Sequence, residues 1–397
     1  MDTVCHVITK LELGGAQEVA LYAVAHLDRA KYRPVLVTGA GGLLTEEAQR
    51  IPHVDVVVLP SLIRAIAPLH DGLALYQLTR LFRRLRPAIV HTHSSKAGLL
   101  GRWAAWLAGV PVIVHTIHGY GITPDQPAWL RRTLVGLERI TGWITTHWIT
   151  VSQADVATGR AWGLFHDQVS VVRPGIDPQP FLTPVNTDAR AQLRAEFGAG
   201  SDHELIGTVA CLKPQKAPQD FVAVAKQVCA ARPRARFVLV GDGELRPVVE
   251  SLIRQAGLAD RICLAGWRRD IPAIMQALDA FLLTSHWEGL PRVLIEARAT
   301  GLPVVATRVG GAEEIIVDER CGWLSAAGDI TGLAHQLLHV LQARERLPHQ
   351  APAQRAGLPQ EFHIGEMVKQ YESLYDRFLR IRCRTDRPRS YAPVAKS

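Results

Sequence analysis

The 397-residue sequence has no stretch that reads as a membrane-spanning helix. Residues 103–124 lack Lys, Arg, Asp and Glu, but Pro111, His115, His118 and the Gly119–Gly121 turn interrupt them too often, so helix, strand and loop are expected there. There is no CxxC pair and no ligand-spaced cysteine cluster. Cys5, Cys211, Cys229, Cys263, Cys321 and Cys383 are scattered, most of them in apolar surroundings, and read as reduced thiols rather than a disulfide framework or a zinc site. The chain lacks the basic segment and cleavage site of a secretory signal before its first strand-like run, VCHVIT, so a cytoplasmic location is expected. Also missing is a basic stripe interleaved with aromatics, which argues against nucleic acid as a partner. The formal charge of +8 does not reopen that question, because residues 377–397 hold six Arg and one Lys against one Asp, or +6. The body is only slightly basic, and its expected acidic partner is a phosphorylated ligand.

What is present is an alternation. Short apolar runs at 3–9, 34–38, 54–59, 88–92, 111–115 and 147–152 read as strands separated by helical patterns, which predicts a parallel sheet covered on both faces. A proline-dense stretch, Arg173–Pro184, reads as a semi-stiff linker. A second series follows, with strands at 205–211, 235–240, 261–265, 279–284 and 303–307. The fold class is therefore α/β, two Rossmann-like doubly wound domains facing across a cleft, the first over residues 1–178 and the second over 185–358. A helix at 361–380 is expected to pack back on the first domain, and 381–397 to form a basic disordered tail.

Ligands of such sheets sit at the carboxyl ends of strands. There the first half places His91-Thr92-His93-Ser94 and His115-Thr116, with His118 just beyond. No carboxylate or Cys completes a metal-ligand spacing among these histidines, so loop or core histidines are expected and no metal. Leu13-Gly14-Gly15-Ala16-Gln17 is a glycine-rich strand-to-helix turn without the full GxGxxG, and a plain turn is an equal reading. In the second half, Phe281–Gly301 reads as strand, tight loop and helix. Pro291 suits the first helical position, leaving free N–H groups from Arg292 onward to face an anion. Glu288 lies in the loop before that helix and Glu296 inside it, so the two can hold hydroxyls beside a bound diphosphate; as isolated acids they would be an ordinary loop acid and a solvated helix residue.

The stretch Trp287-Glu288-Gly289-Leu290-Pro291 up to Glu296, followed by GLPVVATRVGGAEEII, closely resembles family 4 of the retaining glycosyltransferases, whose fold is GT-B. The resemblance covers essentially residues 3–380, with the carboxyl-terminal half the specific part. It implies that Glu288 contacts hydroxyls of the donor sugar, that Glu296 holds the ribose, and that His118 approaches the sugar from the opposite side. It further implies Lys216 on the donor diphosphate, Gly15 at the donor phosphates or acceptor, Gly241 and Gly243 along the nucleotide, and Trp267 beside the base. Gly289, Leu290, Arg292 and Val293 complete the expected donor site at the helix start. Catalytic roles fall to Glu288, His118 and Lys216, with no metal and no cofactor beyond the nucleoside-diphosphate sugar as co-substrate.

A UDP-sugar is the favoured donor, with a GDP-sugar the other candidate. The acceptor is a hydroxyl of a glycan, a lipid-linked saccharide or a small molecule. Trp103, Trp106, Trp129 and the basic Arg80–Arg86 segment raise peripheral contact with the inner face of a membrane, although Trp on an amphipathic helix is more often core. One position departs from the family: an arginine is usual five residues before the lysine, and here it is Cys211. That departure motivates an alternative, a catalytically silent subunit of a glycan-assembly complex. A nucleotide-sugar epimerase of the same fold is a further alternative, with a different motif set.

Overall fold

The computed structural model describes residues 1–123, 125–165, 169–346 and 358–385. Its first half is a seven-stranded parallel sheet of β1 (Asp2–Ile8), β2 (Tyr32–Thr38), β3 (Asp55–Val58), β4 (Ile89–His93), β5 (Val112–Ile117), β6 (His147–Thr150) and β7 (Val169–Val171), in the order β3-β2-β1-β4-β5-β6-β7. The second half is a six-stranded parallel sheet of β8 (Glu204–Val209), β9 (Ala235–Val240), β10 (Ile262–Gly266), β11 (Ala280–Leu283), β12 (Val304–Thr307) and β13 (Trp323–Ser325), in the order β10-β9-β8-β11-β12-β13. Helices cover both faces of each sheet, so the central strands are buried on both sides and read as continuous apolar runs. Each sheet reverses strand order once, between β1 and β4 and between β8 and β11, and the crevice for a ligand opens at such a point.

The linker is not featureless. Residues Gln179–Leu182 form one helical turn, and Ile176 bridges to His363. Arg173 pairs with Glu314 at 2.6 Å and with Glu361 at 3.2 Å, tying the end of the first half to the second half and to the short 3-10 turn Gln360–Phe362 that precedes the last helix. That helix, Ile364–Thr385, buries Met367, Tyr371, Tyr375 and Phe378 against Val4, Ile89 and Val114 of the first sheet. It therefore continues beyond the expected end at 380, so residues 381–385 are helical rather than tail. Residues 386–397, also assigned to the tail, and 347–357, assigned to the second domain, lie outside the described residues. The five cysteines whose side chains are described are free thiols. Among the described residues no helix is long and apolar enough to cross a membrane.

Candidate functional site

The second sheet's reversal point is made of two loops laced together. After β8, a single 3-10 turn at Pro214–Lys216 leads through Ala217, whose φ of 42° is left-handed, into the helix Pro218–Ala231. After β11, Thr284 Oγ1 donates to the carbonyls of Lys216 (3.2 Å) and Ala217 (3.1 Å). The His286 N–H donates to the Gln215 carbonyl at 2.8 Å, and Gln215 Nε2 returns a bond to the Trp287 carbonyl at 2.9 Å. At the centre sits Glu288, its side chain only 7% exposed. The carboxylate accepts from Lys216 Nζ, from Ser285 Oγ at 2.7 Å and from Gln215 Nε2 at 3.3 Å. Three donors on one carboxylate fix its orientation before any ligand arrives.

The two halves meet here by backbone. Gly119, following His118, has φ 93°, and a Cβ there would stand 2.8 Å from the Gly289 nitrogen. A Cβ on Gly289 would stand 2.6 Å from the Gly119 nitrogen, and one on Gly310 (φ 52°) 2.1 Å from the Glu288 carbonyl oxygen. Glycine is required at such approaches because any side chain would part the loops. His118 is thereby held next to the Glu288 loop. Its Nε2 lies 3.0 Å from His93 Nδ1, and burial, with Arg292 nearby, pushes its pKa down to about 4, so it is neutral.

The helix after the loop is Arg292–Ala299, with Pro291 as its cap residue (φ −73°, ψ 95°). This corrects the expectation that Pro291 is the first helical residue: its ψ is extended, and the helix opens at Arg292. Leu294 N–H bonds back to the Pro291 carbonyl at 2.9 Å, which leaves the N–H groups of Arg292 and Val293 for an anion. Leu290 is a core side chain, so only its backbone can line the site. Arg292 pairs with Glu18 across the cleft, and a Cβ on Gly15 would stand 3.4 Å from Arg292 Cδ, which puts the glycine-rich turn of the first half opposite the helix start. Glu296, one turn further on, is crowded enough that burial pushes its carboxyl up to about 7, with Arg292 opposing the shift and Glu18 adding to it.

After β9, Gly241 (φ 131°) and Gly243 lie against the backbone of Ala210 and Leu212, so the turns after β8 and β9 are packed without side chains between them. The Gly241 N–H donates to the Gly266 carbonyl at 2.8 Å, and Trp267, next in sequence, is 43% exposed at the end of β10. Around Cys211, whose thiol is pushed up by burial, stand Lys213, Lys216 and Arg64. The supporting groups Gln215, Ser285 and Glu18 are residues that the sequence reading missed; the Ser-x-x-Glu spacing from Ser285 to Glu288 was the available signal.

Of the histidines, His6, His91 and His93 bring ligand-type nitrogens within 4.8 Å of one another in the buried interior of the first sheet. His6 had not been singled out. His115 faces elsewhere, with Nδ1 2.8 Å from Thr92 Oγ1.

Two family patterns match the chain in succession: Glycosyltransferase Family 4 over residues 13–180 and Glycosyl transferases group 1 over residues 189–356. The chain is 33% identical to the Escherichia coli UDP-Gal:alpha-D-GlcNAc-diphosphoundecaprenol alpha-1,3-galactosyltransferase, over 85% of this chain and 87% of the relative. It is 29% identical to the Bacillus anthracis N-acetyl-alpha-D-glucosaminyl L-malate synthase, over 68% of each chain. Its fold superposes on Anabaena HepE, solved in complex with UDP and glucose, with a TM-score of 0.81 at 21% identity, covering 95% of this chain and 100% of that one.

The raised carboxyl of Glu296 has a consequence for stability. Its folded pKa of about 7 exceeds the ordinary 4.5, so the folded state keeps a proton that the unfolded chain releases. Stability from this group is fully present below 4.5 and is lost as pH rises through 7. Glu296→Gln should therefore melt above the parent at about pH 8 and converge with it at about pH 4. Thermal scans across that range check this, and a constant offset would show that Glu296 is not desolvated.

Proposed function

This chain belongs to family 4 of the glycosyltransferases, and from that premise we propose that it is a retaining, metal-independent enzyme that takes its sugar from a UDP-sugar. Glycosyl transfer from a nucleotide sugar is its activity. The observation that carries the finer reading is the Glu288 carboxylate, clamped by Lys216, Ser285 and Gln215 directly before a helix start with two free N–H groups. In this reading the diphosphate lies against those N–H groups and Lys216, Glu288 binds hydroxyls of the donor sugar, Glu296 binds the ribose, and the base lies beside Trp267. Gly15, Gly241 and Gly243 give the phosphates and nucleoside close access to backbone.

In the reaction, the bond between the anomeric carbon and the diphosphate oxygen breaks. The acceptor hydroxyl oxygen forms the new bond on the same face, and its proton passes to the leaving phosphate. Lys216 and the helix N–H groups stabilise the charge developing on that phosphate, an electrostatic form of catalysis. The silent-subunit reading rested on Cys211, yet the cations Lys213, Lys216 and Arg64 act on that position, with Glu12 opposing them. Relatives named as galactosyl-, mannosyl- and glucosyltransferases favour transfer over the epimerase reading.

For the acceptor, we favour a saccharide carried on a lipid diphosphate at the inner face of a membrane. Helices Pro68–Leu85, Ser95–Leu107 and Ala128–Gly142 pack side by side, and they expose Leu69, Tyr76, Trp106, Trp129 and Ile140 together with Arg83, Arg84 and Arg132. Trp103 does not belong to this face: its indole N–H donates to Thr141 Oγ1 at 3.0 Å. Apolar rings beside arginines suit the headgroup region of an anionic bilayer.

Nucleotide release from a panel of UDP- and GDP-sugars, with and without acceptor and with and without EDTA, tests the donor and the metal requirement together. Turnover of a UDP-sugar that survives EDTA is expected; metal-reversible loss, or turnover of GDP-sugars alone, overturns the respective part. Lys216→Ala should lower kcat by about a hundredfold, the loss of about 3 kcal/mol of charge-assisted leaving-group stabilisation. A rate within about twofold of the parent would remove Lys216 from the mechanism. Paired Trp106→Ser and Trp129→Ser substitutions should weaken binding to anionic vesicles while leaving transfer to a soluble acceptor unchanged. Equal vesicle binding would move the membrane contact to the basic carboxyl-terminal segment.

A further inference from the structure

The ring nitrogen of His118 that points away from the cleft is the first link in a chain of hydrogen bonds through the interior of the first sheet. His118 Nε2 lies 3.0 Å from His93 Nδ1, and His93 Nε2 lies 3.0 Å from His6 Nδ1. His6 Nε2 lies 3.2 Å from the Tyr375 hydroxyl, which lies 2.5 Å from His91 Nδ1. His91 Nε2 ends the run, 2.6 Å from Thr116 Oγ1. These groups meet because His6 and His91 are register partners on adjacent strands, His93 shares the His91 face of β4, and Tyr375 descends onto that face from the last helix. His6, His91, His93 and Tyr375 are fully buried.

Such burial keeps every ring neutral. The pKa of His6 is pushed down to about 3, and His91 and His93 are held well below the ordinary imidazole range. A neutral imidazole carries one N–H and one lone pair. Each link holds one proton, so the run has two complete arrangements, all bonds directed inward from His118 or all directed outward. Reversing a single link leaves two N–H groups or two lone pairs facing each other, or at Tyr375 an unpaired hydroxyl proton, where no water competes.

We propose that His93, His6, Tyr375, His91 and Thr116 are positioning residues that fix the tautomer of His118, so that its cleft-facing Nδ1 presents a lone pair to a hydroxyl of the donor sugar. This rests on the reading that His118 faces that sugar. The inward direction leaves Nδ1 of His118 unprotonated and is completed at its far end by the Thr116 hydroxyl as acceptor. At the far end His91 Nε2–H then donates to Thr116 Oγ1. A metal ion at His6, His91 and His93 would need lone pairs that these links already use, since each of their six ring nitrogens has a partner.

The test uses full-length protein labelled with ¹⁵N-histidine, with His118→Gln serving to assign the His118 signals. Two-bond nitrogen–proton spectra of the parent should show His118 protonated at Nε2 alone. Thr116→Val leaves the His91 N–H without an acceptor and favours the outward direction, and Tyr375→Phe cuts the run in the middle. Both should give mixed or reversed His118 tautomers and lower kcat about tenfold while KM for the donor stays within about twofold, and Thr116→Ser should restore the parent on both counts. An unchanged single tautomer in Thr116→Val overturns the proposal, as does a changed tautomer with unchanged kcat, or zinc bound stoichiometrically in the purified parent. Should no donor be turned over at all, the functional reading fails separately, and the spectra still decide whether the run sets the tautomer.

Discussion

Everything at the site depends on three glycines that let two loops touch by backbone. Gly119 belongs to the first half, Gly289 and Gly310 to the second, and a Cβ on any of them would stand within 2.8 Å of backbone atoms of another loop. Because no side chain separates the strands, His118 and Glu288 are brought to the same place from opposite sheets. Two Rossmann-like sheets each offer a crevice at their reversal point, but neither alone supplies both a neutral imidazole and a fixed carboxylate. The close approach converts two separate crevices into one site.

The electrostatics of that site are arranged for exchange. In the free protein Lys216 is paired with Glu288, and Arg292 with Glu18, so the cations are already neutralised by carboxylates. In the proposed reading, a diphosphate entering at the helix start replaces these carboxylate partners rather than meeting bare charge. It recovers the Coulomb attraction without a fresh desolvation of the cations. Within that reading, Ser285 and Gln215 keep Glu288 oriented when Lys216 turns to phosphate, so the carboxylate assigned to sugar hydroxyls has uncharged donors as well as a charged one. Glu296, with its carboxyl pushed up to about 7, is suited to give as well as receive a hydrogen bond from paired hydroxyls.

The fold was legible because parallel strands buried on both faces leave continuous apolar runs, such as Val4, Cys5 and Val7–Ile8 in β1 or Phe281–Leu283 in β11. The edge strands Val169–Val171 and Trp323–Ser325 escaped the reading, being three residues long and only partly covered. Pro291 was misplaced by one residue because proline's fixed φ serves a cap and a first helical position equally well, and only ψ separates the two. The end of the last helix was read too early because the scarcity of apolar residues beyond Arg380 was taken as the signal of disorder; residues 381–385 continue its turns. Glu288, Glu296 and Lys216 were singled out by resemblance, and the histidines at the strand ends were read as loop or core residues, but the network the buried ones form was not legible. His91 and His93 visibly share a strand face by their spacing, but their pairing with His6 depends on register, and that with Tyr375 on a helix nearly 300 residues away in sequence.

Cys211 shows how a departure from a family pattern is absorbed by its surroundings. The position faces Lys213 and Lys216 of its own loop, and Arg64 and Glu12 of the first half also act on its thiol. Burial and the charge of Lys216 already hold the Lys213 ammonium below its ordinary range. An arginine at 211 would add another cation to that crowd, and like charges at such separations disfavour one another. With a thiol there instead, the repulsion falls and Lys213 keeps its proton more readily. Positive charge in this chain is thus spread over a loop and across the two halves, and the part contributed by Arg64 reaches the diphosphate region only while the first half stays close to the second.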